Sequence, residues 1–326
     1  MKAAVYYETG PPDVFRYEEV PDPTPGATEI LVDVEAISIE GGDTLNRWQG
    51  QLTRVPHVVG YQCAGAVLAV GPEVTSFAPG DRVVTVGLDG SHAERRVVDQ
   101  SLAWLVPDAL TTVDAACVPV AFGTADDCLF EFGRLAAGET ALVHAGAGGV
   151  GIAAIQMAKR AGARVLATAS SDERLERLHP LGLDERINYA QHDFVAEVRR
   201  ITGGNGADVV VDSVGGSTLQ GSIDALAYRG RCVTGGDAGR AAAENLDVSK
   251  MRPANQTLSG YFLGAELLLR PSRVHPMIGR LLSEVARGEL EVVVDRTYPL
   301  AAAAEAHAYV ESRKAVGRVV LLPKAT

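Results

Sequence analysis

Ala141-Leu142-Val143-His144-Ala145-Gly146-Ala147-Gly148-Gly149-Val150-Gly151 joins a strand-like apolar run, Ala141 to Ala145, to a complete G-x-G-x-x-G. The helical stretch Val150 to Ala161 follows directly, with Ile152, Ile155 and Ala158 on one side and Gly162 as a C′ residue. Dinucleotide binding requires glycine in this context. The chain must turn tightly, let a pyrophosphate approach backbone N–H groups, and pack helix against strand.

The next strand, Arg164 to Thr168, ends in Ala169-Ser170-Ser171, with Arg174 one helical turn on. An NAD site places Asp or Glu at this point to bind the ribose 2′-hydroxyl. A small polar loop with a guanidinium suits a 2′-phosphate instead, so NADPH is the expected cofactor. The competing reading makes Ser171 a helix N-cap and Arg174 a solvated helix residue, and Asp172 and Glu173 keep NADH in view.

Outward from this turn, the strand-like runs Asp208 to Asp212 and Arg231 to Thr234 continue an alternation with helices that argues for a doubly wound parallel sheet. Residues 1 to about 117 read differently, as an all-β region of short strands such as Ile30 to Ala36, Gly65 to Val70 and Arg82 to Val86. Pro/Gly turns such as Pro21-Asp22-Pro23-Thr24-Pro25-Gly26 and Ala78-Pro79-Gly80-Asp81 separate them. After about 265 come a helix near Met277 to Arg287, a β-like Glu291 to Tyr298, a helix near Ala301 to Glu311 and a strand Gly317 to Leu322. So few elements bury little by themselves, and this tail is expected to rejoin the first region. The expected organisation is 1–117 and 265–326 as one β-rich domain, with 118–264 as the dinucleotide-binding domain.

The 326 residues carry 30 Lys and Arg against 41 Asp and Glu, a formal charge of −11. That balance repels a phosphate backbone, and no basic block offsets it locally, so nucleic-acid binding is disfavoured. No apolar stretch approaches the roughly 18 residues needed to span a bilayer, and the N-terminus shows no secretory pattern. A cytoplasmic protein is the expectation. Cys63, Cys117, Cys128 and Cys232 lie far apart, which fits reduced, buried thiols better than a disulfide frame or a zinc site.

Further matches accumulate along the chain: Gly10-Pro11-Pro12-Asp13-Val14, Glu29-Ile30-Leu31-Val32, Gly65-Ala66-Val67, Gly80-Asp81-Arg82-Val83, Thr124-Ala125, the glycine turn itself, Ile187-Asn188-Tyr189, Asp212-Ser213-Val214-Gly215, Ala306-His307 and Gly317-Arg318-Val319-Val320. With these pieces the chain resembles the medium-chain dehydrogenase/reductase superfamily and, within it, the zinc-free quinone oxidoreductases to which zeta-crystallin belongs. The resemblance implies a GroES-like β-rich catalytic domain plus a Rossmann α/β domain, with the active site in the cleft. It also implies that Ser170, Arg174 and Tyr189 line the 2′-phosphate side, that Gly146 and Gly148 to Val150 (Gly148, Gly149, Val150) form the pyrophosphate turn, and that the segment from Gly235 approaches the nicotinamide half. Thr124 and Arg318 join the cofactor residues on the same grounds.

Zinc relatives would carry a cysteine near 40 to 42 and Gly-His-Glu where this chain has Gly60-Tyr61-Gln62, and Val86 to His92 holds no structural-zinc cysteine. No metal is expected. Hydride chemistry without a Lewis acid favours an electrophile already activated by conjugation. The candidate catalytic residues are Glu40, Asp43 and Tyr61. Quinone oxidoreductases usually have Asn at the position of Glu40. Its carboxylate could take a hydrogen bond from substrate or deliver a proton, or Glu40 could turn outward and leave only Asp43, as a turn or helix cap. Tyr61 could hydrogen-bond a carbonyl oxygen or form an aromatic wall. Trp48 and Leu52 are read as shaping an apolar pocket, and His144 as a core or strand-end histidine.

The leading expectation is an NADPH-dependent reductase of a quinone or α,β-unsaturated carbonyl. Beside it stand an enoyl thioester or biosynthetic tailoring reductase of the same fold, weakened by Gln51-Leu52 where such enzymes carry a tyrosine, and a non-catalytic NADPH-binding protein. A homodimer joined along the strand near Thr257 to Leu263 is expected by resemblance.

Overall fold

The computed structural model describes residues 1–240 and 246–325. They fold as two compact units, Met1–Gly123 with Leu263–Thr326, and Thr124–Phe262.

The first unit opens with β1 (Lys2–Tyr6), β2 (Arg16–Glu19), β3 (Glu29–Ser38), α1 (Gly41–Gln49), β4 (His57–Val58) and β5 (Gln62–Val70). There follow β6 (Arg82–Val86), β7 (Arg95–Asp99), β8 (Ala103–Leu105), α2 (Thr112–Cys117) and α3 (Pro119–Asp126), which crosses the unit boundary. The region is therefore not all-β as the sequence predicted. Helix α1 starts on two glycines, poor helix formers, and is held from outside: buried Arg47 donates to Gly10 O and pairs with Glu311.

The second unit alternates β9 (Thr140–Val143), α4 (Gly149–Arg160), β10 (Arg164–Ala169), α5 (Asp172–Glu176), β11 (Glu185–Asn188), α6 (Phe194–Ile201) and β12 (Ala207–Asp212). It continues with α7 (Thr218–Asp224), β13 (Leu226–Thr234), α8 (Met251–Ala254) and β14 (Thr257–Gly260). All six strands are parallel, in the order β11-β10-β9-β12-β13-β14, which is the 3-2-1-4-5-6 order of a Rossmann sheet. Leu142, Leu166, Ile187, Val210 and Leu226 from five of these strands share one core with Val198 of α6 and Leu219 of α7. The first strand is shorter than its apolar run, because Ala145 turns into the left-handed region at φ 49°.

The tail then returns to the first unit as α9 (Leu263–Leu269), α10 (Pro271–Ala286), β15 (Val294–Pro299), α11 (Ala303–Glu311) and β16 (Arg318–Leu322). The main sheet of that unit runs β15-β16-β3-β5-β6-β8, with β7 also paired to β3. The unit boundaries fall at 123/124 and 262/263 where the sequence placed them at 117/118 and 264/265. The start of α3 stays with the first unit because Val120 N–H donates to Gln62 Oε1 (2.9 Å) and Gly123 lies against Leu263 and Ile278.

A buried histidine pair couples this unit's stability to pH. His92 Nε2 stands 3.0 Å from His307 Nε2, so one nitrogen donates and the other accepts, and a second proton would set two N–H groups head-on. Burial, helped by the Arg96 charge, pushes His92 down to about 3. The unfolded chain therefore takes up a proton near pH 6.5 that the folded chain refuses. Stability from this site is full above 6.5 and falls as pH is lowered toward 3, at about 1.4 kcal/mol per pH unit. Between pH 7 and pH 5 the wild type should lose about 2 kcal/mol more than His92→Gln in urea unfolding. Parallel pH dependences of the two proteins would contradict this assignment.

Candidate active site

Register places the first cluster. Ser38 at the end of β3 lies opposite Gln62 of β5 on one side and Val320 of β16 on the other. The residues flanking these partners, Glu40 after β3 and Arg318 at the start of β16, are thereby brought together. Arg318 donates through Nε (3.0 Å) and Nη2 (2.6 Å) to Ser38 Oγ, through Nη2 to Ile39 O (2.8 Å), and forms an ion pair with Glu40. Gln62 also donates to the same Glu40 oxygen; its amide is oriented by Val120 N–H, which occupies Oε1.

Glu40 is 4% exposed and does not turn outward. Burial holds its carboxyl above the usual carboxylate range, against the pull of the Arg318 charge and of the Gln62 and Ser38 hydrogen bonds. Arg318 remains a cation: burial opposes its charge, but Glu40, Cys117 and Asp43 outweigh it and push it up. Its guanidinium is thus engaged inside the first unit, by Glu40 and the end of β3, while the other residues assigned to the cofactor belong to the second unit.

Asp43 is fully buried, and both oxygens accept backbone N–H groups, from Glu40 (2.8 Å) and Tyr61 (3.0 Å). Burial and the neighbouring Glu40 push it up to about 8. Its geometry is that of a brace between the start of α1 and the turn before β5. Tyr61 is half-buried, with its hydroxyl 3.2 Å from Asn46 Nδ2 and its carbonyl accepting from Arg96 Nη1 (3.1 Å). Its ring covers Gly42, where a Cβ would collide with ring atom Cε2 and lie 2.7 Å from the hydroxyl oxygen, so a larger residue would displace the ring. Burial and Asp43 push the phenol up to about 12, and it stays protonated at neutral pH.

This donor set does not fit a zinc ion. Glu40 faces a guanidinium, Tyr61 and Gln62 stand in place of imidazole and carboxylate, and among the described residues no group of three or more His, Cys, Asp or Glu could hold a metal.

The second cluster lies at the C-terminal ends of β9, β10 and β11, where open parallel sheets bind ligands. Gly146 N–H donates to Thr168 O and Gly148 N–H to Ala145 O (2.8 Å), closing the turn. Gly151 touches Gly146, and a Cβ there would come within 2.7 Å of Gly146 Cα. Gly148 caps α4 without a side-chain bond, so the helix presents backbone donors at Gly149 and Val150 to an anion. Arg174 Nη1 donates to Ser170 Oγ (3.0 Å), and Ser171 Oγ also accepts from Arg174 N–H as an N-cap, so Ser171 serves the helix while Ser170 meets the guanidinium. Tyr189 is exposed, and its N–H donates to Ala169 O (3.1 Å), which sets it beside Ser170. These residues fit a dinucleotide with a 2′-phosphate. Thr124 and Gly235 lie together, 3.8 Å from Thr124 Cγ2 to the position of a Gly235 Cβ. His144 is buried edge-on to Phe194 with Nδ1 3.0 Å from Thr168 Oγ1, and burial keeps it neutral.

Trp48 is exposed. Ser38, Asn46 and Arg96 went unread in the sequence, and Gln62 was read there only as a replacement for the zinc relatives' glutamate. Reading Glu40 as an N-cap and Asp43 as N3 would have predicted α1, and with it Asn46 one turn beyond Asp43.

A parallel six-stranded sheet with this glycine turn, joined to a β-rich unit built from both ends of the chain, defines a medium-chain dehydrogenase/reductase. The comparisons agree. Residues 26–108 match the alcohol dehydrogenase GroES-like domain and residues 149–283 the domain described as zinc-binding dehydrogenase. The chain is 35% identical to the 2-haloacrylate reductase of a Burkholderia species over all of both chains. It is 34% identical to the quinone oxidoreductase of Pseudomonas aeruginosa, covering 96% of this chain and 97% of that one. The crystal structure of Escherichia coli quinone oxidoreductase complexed with NADPH superposes with a TM-score of 0.93 at 29% identity, over 99% of this chain and 100% of that one. The chain belongs to the quinone oxidoreductase family of medium-chain dehydrogenases/reductases.

Proposed function

We propose that this protein is an NADPH-dependent reductase of quinones or α,β-unsaturated carbonyl compounds, acting without zinc. The observation that carries the reading is the half-buried Tyr61 hydroxyl, hydrogen-bonded by Asn46 and held where zinc relatives place a metal ligand. Bound NADPH supplies the hydride. Gly146, Gly148, Gly149 and Val150 would receive the pyrophosphate, Ser170, Arg174 and Tyr189 the adenosine phosphate, and Thr124 and Gly235 the nicotinamide half. Tyr61 donates a hydrogen bond to the substrate carbonyl oxygen, where negative charge develops as the conjugated carbon is reduced. Asp43 and the Glu40–Arg318–Gln62 cluster brace the segments that carry Tyr61; with its oxygen already engaged by three partners, Glu40 acts through position.

The relatives named as a 2-haloacrylate reductase and a quinone oxidoreductase, and the NADPH of the E. coli structure, support this reading. Screening acceptor-dependent NADPH oxidation across quinones, enones and enoyl thioesters tests it. Turnover is expected with the first two, and preference for the thioesters would move the substrate assignment. The reading extends to a homodimer paired along the β14 edge of the six-stranded sheet, for which light scattering should give twice the chain mass. The four free, buried cysteines support a reducing compartment, in keeping with the cytoplasm.

A further inference from the structure

Tyr61 is fixed at four points, and three of them come from one helix. Its N–H donates to Asp43 Oδ1 (3.0 Å), its ring lies over Gly42, and its hydroxyl meets Asn46 Nδ2 at 3.2 Å. The fourth is Arg96, which donates to its carbonyl. Asp43 and Asn46 are three residues apart on α1 and so share a helix face. The backbone clamps fix where the ring stands. Among the described residues, only Asn46 hydrogen-bonds the hydroxyl.

An amide nitrogen has hydrogens to give and no lone pair to offer, so Asn46 Nδ2 occupies an acceptor position on Tyr61 Oη and leaves the phenolic hydrogen unspent. We propose that Asn46 is a positioning residue for the reduction: by donating to Tyr61 Oη it turns the Tyr61 O–H toward the substrate carbonyl oxygen. This rests on the reading of Tyr61 as the donor to substrate. No proton leaves Tyr61; the hydroxyl acts as a fixed dipole oriented before the charge develops, the arrangement that makes such donors effective. The protonated state of the phenol at neutral pH is compatible with this role.

Asn46→Asp keeps the shape and replaces the donor with oxygens that only accept, which captures the Tyr61 hydrogen and turns it away. With 2-cyclohexen-1-one and saturating NADPH, kcat should fall about ten-fold or more, with NADPH affinity and Tm unchanged. Activity should partly return as pH falls and the introduced carboxyl gains a proton to donate. Asn46→Ala, which frees the hydroxyl without capturing it, should lose less and show no acid recovery. Tyr61→Phe should be slow, and adding Asn46→Asp to it should change kcat less than two-fold. A readout without turnover comes from the carbonyl stretch of cyclohexenone bound beside NADP⁺: it should shift to lower frequency in wild type and lose that shift in Asn46→Asp and Tyr61→Phe.

Full activity and an unaltered carbonyl stretch in Asn46→Asp, with Tyr61→Phe slow, would overturn the role of Asn46 and leave that of Tyr61 standing. A further ten-fold loss from Asn46→Asp in the Tyr61→Phe background would also overturn it. Wild-type activity in Tyr61→Phe would remove the underlying reading and this inference together.

Discussion

Arg318→Met should destabilise the protein by about 3 to 5 kcal/mol, the usual consequence of leaving one member of a buried ion pair without its partner. Both side chains are nearly inaccessible, at 8% for Arg318 and 5% for Glu40, so water cannot take over the stranded carboxylate. Ser38 Oγ and Ile39 O lose their guanidinium donors as well. The pH dependence identifies the cause. Without Arg318 the Glu40 pKa rises further above its unfolded value of 4.5, so the variant's stability falls as pH rises through and above that value. Arg318→Met should therefore compare worse with wild type at pH 8 than at pH 5. Removing both charges, in Arg318→Met with Glu40→Leu, should restore much of the loss, since apolar replacements of a buried pair are often nearly neutral. A loss under 1 kcal/mol in the single variant, or no restoration in the double, would show that the pair does not hold β3 to β16.

Arg174→Ala should weaken NADPH about 10- to 100-fold and leave NADH nearly unchanged, corresponding to the loss of one charge-assisted pair worth about 1 to 3 kcal/mol. The guanidinium is anchored by Ser170 at 3.0 Å at the end of β10, and an adenosine 2′-phosphate is the feature that distinguishes the two cofactors there. Ser170→Ala should give a smaller loss of the same kind, because it releases the guanidinium without removing it. Fluorescence titration of each protein with both cofactors measures this. Equal weakening of NADH and NADPH would mean that Arg174 supports α5 and does not read the phosphate.

The glycine turn was legible because its chemistry is local. Gly148 and Gly151 serve contacts within a few residues, Gly146 lies against Ala167 of the adjoining strand, the neighbouring strands are continuous apolar runs, and a parallel sheet needs the alternation seen from Ala141 to Thr234. Ser171 and Gly162 mark helix ends for equally local reasons, an N-cap hydroxyl and a φ of 81°. The catalytic side was harder. Helix α1 begins with Gly41-Gly42, which argues against a helix until Tyr61 is known to need the space above Gly42 and Arg47 is known to be tied to Glu311. Glu40 and Arg318 are 278 residues apart, and only the neighbouring registers of β5, β3 and β16 bring them together. The sequence showed Glu40 as a departure from relatives but carried no local sign of its partner. Asn46 was hidden for the same reason, since its role exists only once α1 and the Tyr61 turn are placed side by side.

Hydride from NADPH should reach a conjugated carbon of the substrate, and an isotope followed through the reaction shows whether it does. The protein is incubated, in the presence of chelator, with 2-cyclohexen-1-one and NADPH dideuterated at nicotinamide C4, and the product is analysed by mass spectrometry and NMR. The expected product is cyclohexanone carrying one deuterium on the carbon β to the carbonyl. Deuterium on the carbinol carbon of an allylic alcohol, or a reduced product without deuterium, would contradict it.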